Sequence, residues 1–473
     1  MGEYFLHGVE VLELDDGSRP IQTVKSSVIG LIGTAPKGPV NQPTLILGSK
    51  TEAVKIFGES SPGFTIPDAL SGIFDQTGAV VVVINVADPA NSKLVSTVDS
   101  QEYTFDENNE ITVGKYSISN VSVKGKDETA YIENTDYNVN KEDGIITRLT
   151  SGNIPEDQPV QVSYTCLDPS KITAGEIIGG VTADGRYTGV QCFLASMNEV
   201  SVQPRLLAAP GFTHDRPESG GEKLANPVVA ELISIAERLR AIVIADCPNG
   251  TKEEAVSYRK DWGAARLYCV YPWAKVYDSA TGNTIEEPLS ARIAGLIAKT
   301  DNDKGFWWSP SNNIINGIIG ISKPIDFTLG DPNCVANYLN ENLITTVIQQ
   351  DGFRLWGNRT TSADSKWAFL SVRRTADMIN DSLLKAHLWA IDRNITKTYV
   401  SDVCDGVSNY LRYLKNIGAI INGSCWADSS INTPDQISQG KIVFDFDFTP
   451  PYPAEHITFR SRLTDEYLTE IFE

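Results

Sequence analysis

Residues 79–88 read AVVVVINVAD, and from Val80 to Ile84 the run has no polar position. Val and Ile favour extended backbone because their branched Cβ packs well on a pleated surface. A strand that alternates apolar and polar residues keeps one wet face, and a strand without alternation keeps none. This run therefore needs apolar cover in front and behind, the environment of a parallel sheet between layers of helix.

Segments on both sides fit that demand. SVIGLIGTA and PTLILG read as short buried strands joined by the turn-rich PKGPVNQ. SKTEAVKIFG is a helix opened by a Ser cap and closed at Gly58, and IPDALSGIFDQTG is a second helix leading into Val80. Farther on, RLLAAPGF, NPVVAELISIAERLR, AIVIADC, TKEEAVSYRKDWG and ARLYCVYPW alternate strand and helix. Val228, Leu232, Ile235 and Leu239 share one helical stripe, and Thr251 with Glu254 forms a capping box. The order β-α-β-α-β predicts right-handed crossovers and a parallel sheet.

Residues 91–167 have another texture. EYTFD, EITVGKYSISNVSV, TAYIEN, DYNVN, GIITRL and VQVSYTCL alternate and are split by Asn, Asp and Gly, as in an all-β module of short strands. After Asn340, ITTVIQQ, the turn Asp351–Gly352 and FRLWGN predict a hairpin. A strand WAFLSV follows, then long helices near 374–391 and 396–416.

Both ends of the chain alternate. GEYFLHGVEVLEL carries Tyr4, Leu6, Val9 and Val11 in an extended pattern. In KIVFDFDFTPPYPAEHITFR, Phe444, Phe446 and Phe448 point one way and Asp445 and Asp447 the other. Past the prolines, Ile457 and Phe459 alternate with His456, Thr458 and Arg460. A terminal strand of this kind pairs within its chain or adds to a neighbour's open edge.

At 473 residues the chain is too long for one core. The expected architecture is a multidomain α/β and α+β chain. It comprises an N-terminal extended arm (1–20), a discontinuous parallel-sheet α/β core (21–90 and 168–340), an inserted, outward-facing all-β module (91–167), a C-terminal α+β domain (341–440) and a C-terminal extended arm (441–473).

Sixty acidic against 40 basic residues give a net charge of −20, which argues against gripping nucleic acid. No run of about eighteen apolar residues predicts a membrane span, the N-terminus has no secretory pattern, and Leu6 stands where a myristoylation signal wants Ser or Thr. Seven scattered cysteines without CxxC spacing read as reduced thiols.

Catalytic patterns are scarce. His7, His214, His387 and His456 lie in different regions without metal-ligand spacing. No GxSxG elbow, Walker loop or GxGxxG follows a strand. GTAPKGP has the outline of a phosphate loop, but its prolines remove amide donors, so it reads as a rigid turn. TDNDKGF has its Gly one place early for a calcium loop and Asn312 at the twelfth position, so it reads as a solvated loop. Asp246 and Cys247 end a parallel strand, where α/β enzymes keep reactive groups, yet no partner is placed beside them. Trp307 and Trp308 are an interface anchor or the cover of their own domain. Arg354, Arg359, Arg373 and Arg374 either pair across subunits or balance an acidic chain.

Four blocks taken in order, GLIGTAPKGP, PLSARIAGLIAKTDNDKGFWWSPSNNIINGI, TTVIQQDGFRLWGNRTTSADSKWAFLSVRR and TPPYPAEHITFRSRL, resemble the tail sheath proteins of contractile phage tails and related injection machines, especially the Mu- and P2-like lineage. The resemblance covers most of the chain outside 91–167. It implies a structural subunit, not an enzyme, without cofactor or metal. Such a subunit stacks as hexameric rings around an inner tail tube and contracts from a metastable extended state to drive the tube through the host envelope for genome delivery. Implied partners are further copies, the tail tube protein, and baseplate and tail terminator proteins, with no direct nucleic acid and no membrane insertion. The implied place is the virion's tail sheath, after synthesis in the host cytoplasm. The resemblance also implies that both arms add strands to a neighbour's C-terminal domain, carried here by Tyr4, Leu6, Val9, Val11, Phe444, Phe446, Phe448, Ile457 and Phe459. IQQDGF departs from the family, where a more basic turn is expected, so the tube-facing surface is assigned instead to the helices of 374–416. The competing readings are an α/β enzyme with its site near Asp246 and Cys247, and the sheath of a non-phage injection system.

Overall fold

The computed structural model describes residues 21–278 and 282–472. The arm expected over 1–20, with Tyr4, Leu6, Val9 and Val11, lies outside them.

Strands β1 (Ile29–Gly33) and β2 (Thr44–Leu47) precede helices α1 (Lys50–Phe57) and α2 (Ile66–Phe74) and strand β3 (Val80–Asn85). The inserted segment holds β4 (Val95–Tyr103), β5 (Glu110–Thr112), β6 (Ser119–Lys124), β7 (Tyr137–Asn140), β8 (Ile145–Arg148) and β9 (Val160–Leu167). The core resumes with β10 (Leu206–Ala208), α3 (Pro227–Leu239), β11 (Ile242–Asp246), α4 (Lys252–Arg259), β12 (Leu267–Val270) and α5 (Ser290–Lys304). Then come β13 (Ile344–Gln349), β14 (Phe353–Trp356), α6 (Leu370–Ala386), α7 (Lys397–Asn416), β15 (Asn422–Trp426) and β16 (Asp445–Thr449).

One eight-stranded sheet runs in the order β2-β3-β1-β10-β11-β12-β13-β14, parallel except at its two edges. The Val run lies second from one edge and is buried on both sides as its composition requires. Val82 and Ile84 face α3 and α4, with Leu232, Ile235 and Tyr258. Val81 and Val83 face α1, α2 and α5, with Phe57, Leu70 and Ile297. Gly295 lets α5 close on α2, since a Cβ there would stand 2.7 Å from the Ile73 carbonyl oxygen. Local signals are met where the chain can satisfy them alone. Ser49 caps α1, and the Thr251–Glu254 capping box opens α4.

Two sequence expectations fail. The hairpin β13–β14, expected to head the C-terminal domain, instead completes the core sheet, with Cys269 opposite Ile344. The free edge of β12 offers its backbone groups a ladder, and Thr345, Thr346, Val347 and Ile348 are buried there. WAFLSV is not a strand: Leu370 begins α6, whose stripe Val372, Ala376 and Ile379 is buried with helical spacing. Six more of its buried positions are charged or hydroxylated, Arg374, Asp377 and Asp381 with Ser371, Thr375 and Ser382, so an apolar scan does not see a buried helix there.

The inserted segment forms two three-stranded sheets, β4-β9-β6 and β5-β8-β7, around a separate core of Val123, Tyr137, Ile146, Val162 and Tyr164. Its ends are adjacent because Val95 pairs with Leu167. Lys37 of the GTAPKGP turn tethers it through Asp143 at 2.7 Å. Excising 92–168 with a short Gly-Ser bridge is therefore expected to leave the core folded. The loss of Leu94 and Leu167 from the core should cost roughly 3–6 kcal/mol at about 1.5–3 kcal/mol per buried side chain. Urea unfolding checks this, and a variant without a cooperative transition would show that the insertion is integral to the core.

Candidate assembly surface

Helices α6 and α7 carry the antiparallel pair β15–β16, with Cys425 opposite Phe446 and Gly423 opposite Phe448. Phe446 and Phe448 stack at 6.2 Å and pack on Val407, Tyr410, Leu411, Leu414 and Ile420. Asp447 faces out and accepts from the Ser424 amide and hydroxyl at 2.8 and 2.9 Å. Phe444, just before the strand, lies 6.3 Å from the Tyr399 ring. These three phenylalanines, expected in an arm that leaves the subunit, thus belong to the subunit's own module. Their alternation buries one face against α6 and α7, which lie within reach in the same chain.

The chain behaves differently after Pro450. Residues 451–464 form no helix or strand, and Ile457 is 66%, Phe459 92% and Leu463 100% exposed. The segment is tethered at its start by Tyr452 against Phe369 and by Glu455, which accepts from Arg359 at 2.8 and 3.0 Å. Among the described residues β15 and β16 have no third strand, so both outer backbone edges are open. Seventeen of the 29 exposed large apolar side chains among those residues fall after Leu383, so the apolar surface is concentrated in the last fifth of the chain.

The described N-terminal end reaches the same module. Ile21 and Val24 pack on its core, Thr23 bonds the Tyr410 hydroxyl at 3.1 Å, and the Val24 amide donates to Ser382 at 3.2 Å.

A row of buried ion pairs joins this module to the core. Arg266 donates to Asp377 at 2.6 and 2.9 Å, Arg240 and Arg205 pair with Asp381, and Arg374 pairs with Asp301 at 2.8 Å. Asp301 also accepts from Ser26 at 2.7 Å, and its side chain is buried, so the start of TDNDKGF is an anchor near the end of α5, not a solvated loop. Burial holds Asp381 above the usual carboxylate range, and Arg205 and Arg240 offset only part of that rise. Sequence reading missed Asp377 and Asp381 because each stands four residues from an opposite charge, Arg373 and Lys385, a spacing that normally marks a solvated helix face. Of the four arginines singled out, Arg359, Arg373 and Arg374 pair within the chain, and Arg354 donates to the Gln350 and Asn312 carbonyls. Trp307 packs on the module core while Trp308 is 49% exposed.

Asp246 and Cys247 are fully buried. The Asp246 carboxylate accepts the Ser290 amide at 2.8 Å, capping α5, and its second oxygen has no partner. Burial pushes its pKa from 3.8 up to about 6. A raised carboxyl contributes stability that is complete below about pH 4 and is lost as pH rises through 6. The D246N variant should therefore gain about 3 kcal/mol relative to the parent between pH 4 and pH 8, at about 1.4 kcal/mol per pKa unit. Urea unfolding across that range checks it, and a stability difference that does not change with pH would contradict it. Among the described residues no group of three His, Cys, Asp or Glu could hold a metal ion, and no helix is long and apolar enough to cross a membrane.

Comparison with known proteins gives matches along the chain. Family models match as the tail sheath protein Gp18 domain III N-terminal region over 26–86, the phage tail sheath protein central domain over 172–361 and the phage tail sheath C-terminal domain over 362–464. A model for a protein of unknown function matches 90–176, the inserted module. The tail sheath protein of Burkholderia phage BcepMu is 37% identical, across 99% of this chain and 98% of its own. That of Escherichia phage P2 is 30% identical, across 100% and 98%. The fold matches the helical sheath of the anti-feeding prophage in its contracted state, with a TM-score of 0.58, 19% identity and 98% and 100% coverage. It also matches the contracted sheath complex of the extracellular contractile injection system PVC, with a TM-score of 0.59, 14% identity and 98% and 99% coverage.

Proposed function

The chain belongs to the phage tail sheath family, and from that premise we propose that it polymerises as stacked hexameric rings around a tail tube, woven by its terminal segments, and drives the tube by contracting. The observation that carries this reading is the open-edged pair β15–β16 next to an unpaired apolar segment of the same chain. Residues 456–462 of one copy add a strand to the sheet of another, with Ile457 and Phe459 as the buried side chains. Such a head-to-tail contact does not close on itself, so it propagates.

The buried ion pairs keep core and C-terminal module together, while the segment after Pro450 is the compliant link between neighbours. Contraction then moves rigid subunits without unthreading the weave, from a trapped packing to a better one. An extra ~200 Å² of apolar burial per subunit is worth about 5 kcal/mol, which accumulates along the tail without nucleotide hydrolysis. Tail tube, baseplate and tail terminator proteins are the partners this places around it, in a virion tail assembled in the host cytoplasm.

Negative-stain electron microscopy of the purified, concentrated protein tests the proposal. Hollow striated cylinders, independent of nucleotide and metal, are the expected result. Dispersed particles that stay dispersed with a tube protein present would refute it.

A further inference from the structure

We propose that the segment of one copy adds to the β16 edge of the next, antiparallel, in a register set by charge, with Arg460 beside Asp447 and Arg462 beside Asp445. This rests on the strand addition proposed above and specifies which edge and which register it uses. Cross-strand pairing puts Cys425 with Phe446 and Gly423 with Phe448 on the inner face of the sheet. The outer face therefore carries Asp445 and Asp447 on β16, and the uncharged Asn422, Ser424 and Trp426 on β15. Neither aspartate forms an ion pair among the described residues. In the segment, Ile457, Phe459 and Leu463 fall on one face of an extended strand and Thr458, Arg460 and Arg462 on the other. Both arginines are exposed, and they too form no ion pair among the described residues.

Turning the apolar face inward carries the arginines to the outer face. Beside β16 they meet two carboxylates, and beside β15 they meet no charge. Opposite charges on neighbouring strands stabilise a sheet and like charges destabilise it, so β16 is the edge selected. Its sequence DFDFT has no proline to interrupt a ladder. One antiparallel register makes both ion pairs at once and sets Phe459 beside Phe448 and Leu463 beside Phe444 on the inner face. An open groove of about 960 Å³, walled by Phe444, Phe446, Val403 and Val407, leaves room there for apolar side chains. The same register brings Asp465 and Glu466 alongside Lys441, whereas a parallel strand with two arginine pairs would leave those acids beside Pro450 and Pro451. A slip of one residue turns the arginines inward, and a slip of two breaks one pair.

The protein concentration at which the full-length chain begins to form cylinders, read by sedimentation at low salt, tests this. R460E/R462E should raise it about tenfold with an unchanged thermal melt, since both side chains are exposed. D445K should raise it by less. Asp445 is the aspartate to reverse, because Asp447 accepts from Ser424 and its loss would disturb β15 itself. R462E/D445K restores the parental concentration, and the mismatched R460E/D445K does not. Normal assembly of R460E/R462E, or rescue of D445K by R460E in place of R462E, would overturn the proposal. The I457D/F459D variant separates this from the strand addition beneath it. If that variant fails to assemble while R460E/R462E assembles normally, the added strand stands and its charge register falls. If both assemble normally, the strand addition falls as well.

Discussion

Replacing Ile457 and Phe459 together by Asp leaves a folded subunit that forms no cylinders. In the free chain these side chains are 66% and 92% exposed, so their loss costs the subunit little, within about 0.5 kcal/mol for a surface site. Seated in a neighbour's sheet, each is worth about 1.5–3 kcal/mol, and a carboxylate in the same seat adds a desolvation penalty. A loss of roughly 3–6 kcal/mol per contact raises the protein concentration needed for assembly by about 10²–10⁴. Sedimentation velocity and negative-stain microscopy read the assembly, and a thermal melt reads the fold. The contrasting variant is F446D, which strikes Phe446 in the module's own core and is expected to lower the melting temperature directly. Normal cylinders from the first variant would remove the terminal segment from the assembly mechanism.

Asp377→Ala is expected to destabilise the chain by about 3–5 kcal/mol, the usual cost of removing one partner of a buried pair. Asp377 is 1% exposed and accepts from Arg266 at 2.6 and 2.9 Å and from Arg373 at 2.8 Å. Arg266 is itself buried, so truncating the carboxylate leaves its guanidinium without that partner in the interior. An apolar pair of similar volume, R266M with D377L, should recover most of the loss, because neither charge then needs solvation. The midpoints of urea unfolding distinguish the three proteins. A D377A variant as stable as the parent would mean that water reaches Arg266 and that the ion pairs do not join module to core. If the proposed mechanics are right, D377A should also assemble poorly at temperatures where the isolated subunit is still folded.

Legibility in the sequence followed the range of the interactions. Helices α1, α3 and α4 were readable because Ser49, the Val228–Leu239 stripe and the Thr251–Glu254 box act within a turn or a few turns of chain. The inserted module was readable because its strands alternate around a core of their own. The four ordered blocks pointed to the sheath family before any coordinates. The hairpin at 344–356 was misplaced because its partner edge lies some seventy residues away in sequence, and no local pattern names it.

By itself the sequence determined the parallel α/β core, through the unbroken Val80–Ile84 run, and the existence of alternating strands at the C-terminal end. Which alternating strand stays home was decided only in three dimensions. Phe446 and Phe448 are taken up by α6 and α7, while Ile457 and Phe459 remain exposed with no strand partner among the described residues. Alternation specifies that one face will be buried, but it does not specify against what. That depends on which apolar surface and which open backbone edge the rest of the fold brings within reach. The charged face of α6 makes the same point, for Asp377 and Asp381 read as surface residues until Arg266, Arg205 and Arg240 are brought to them by other elements.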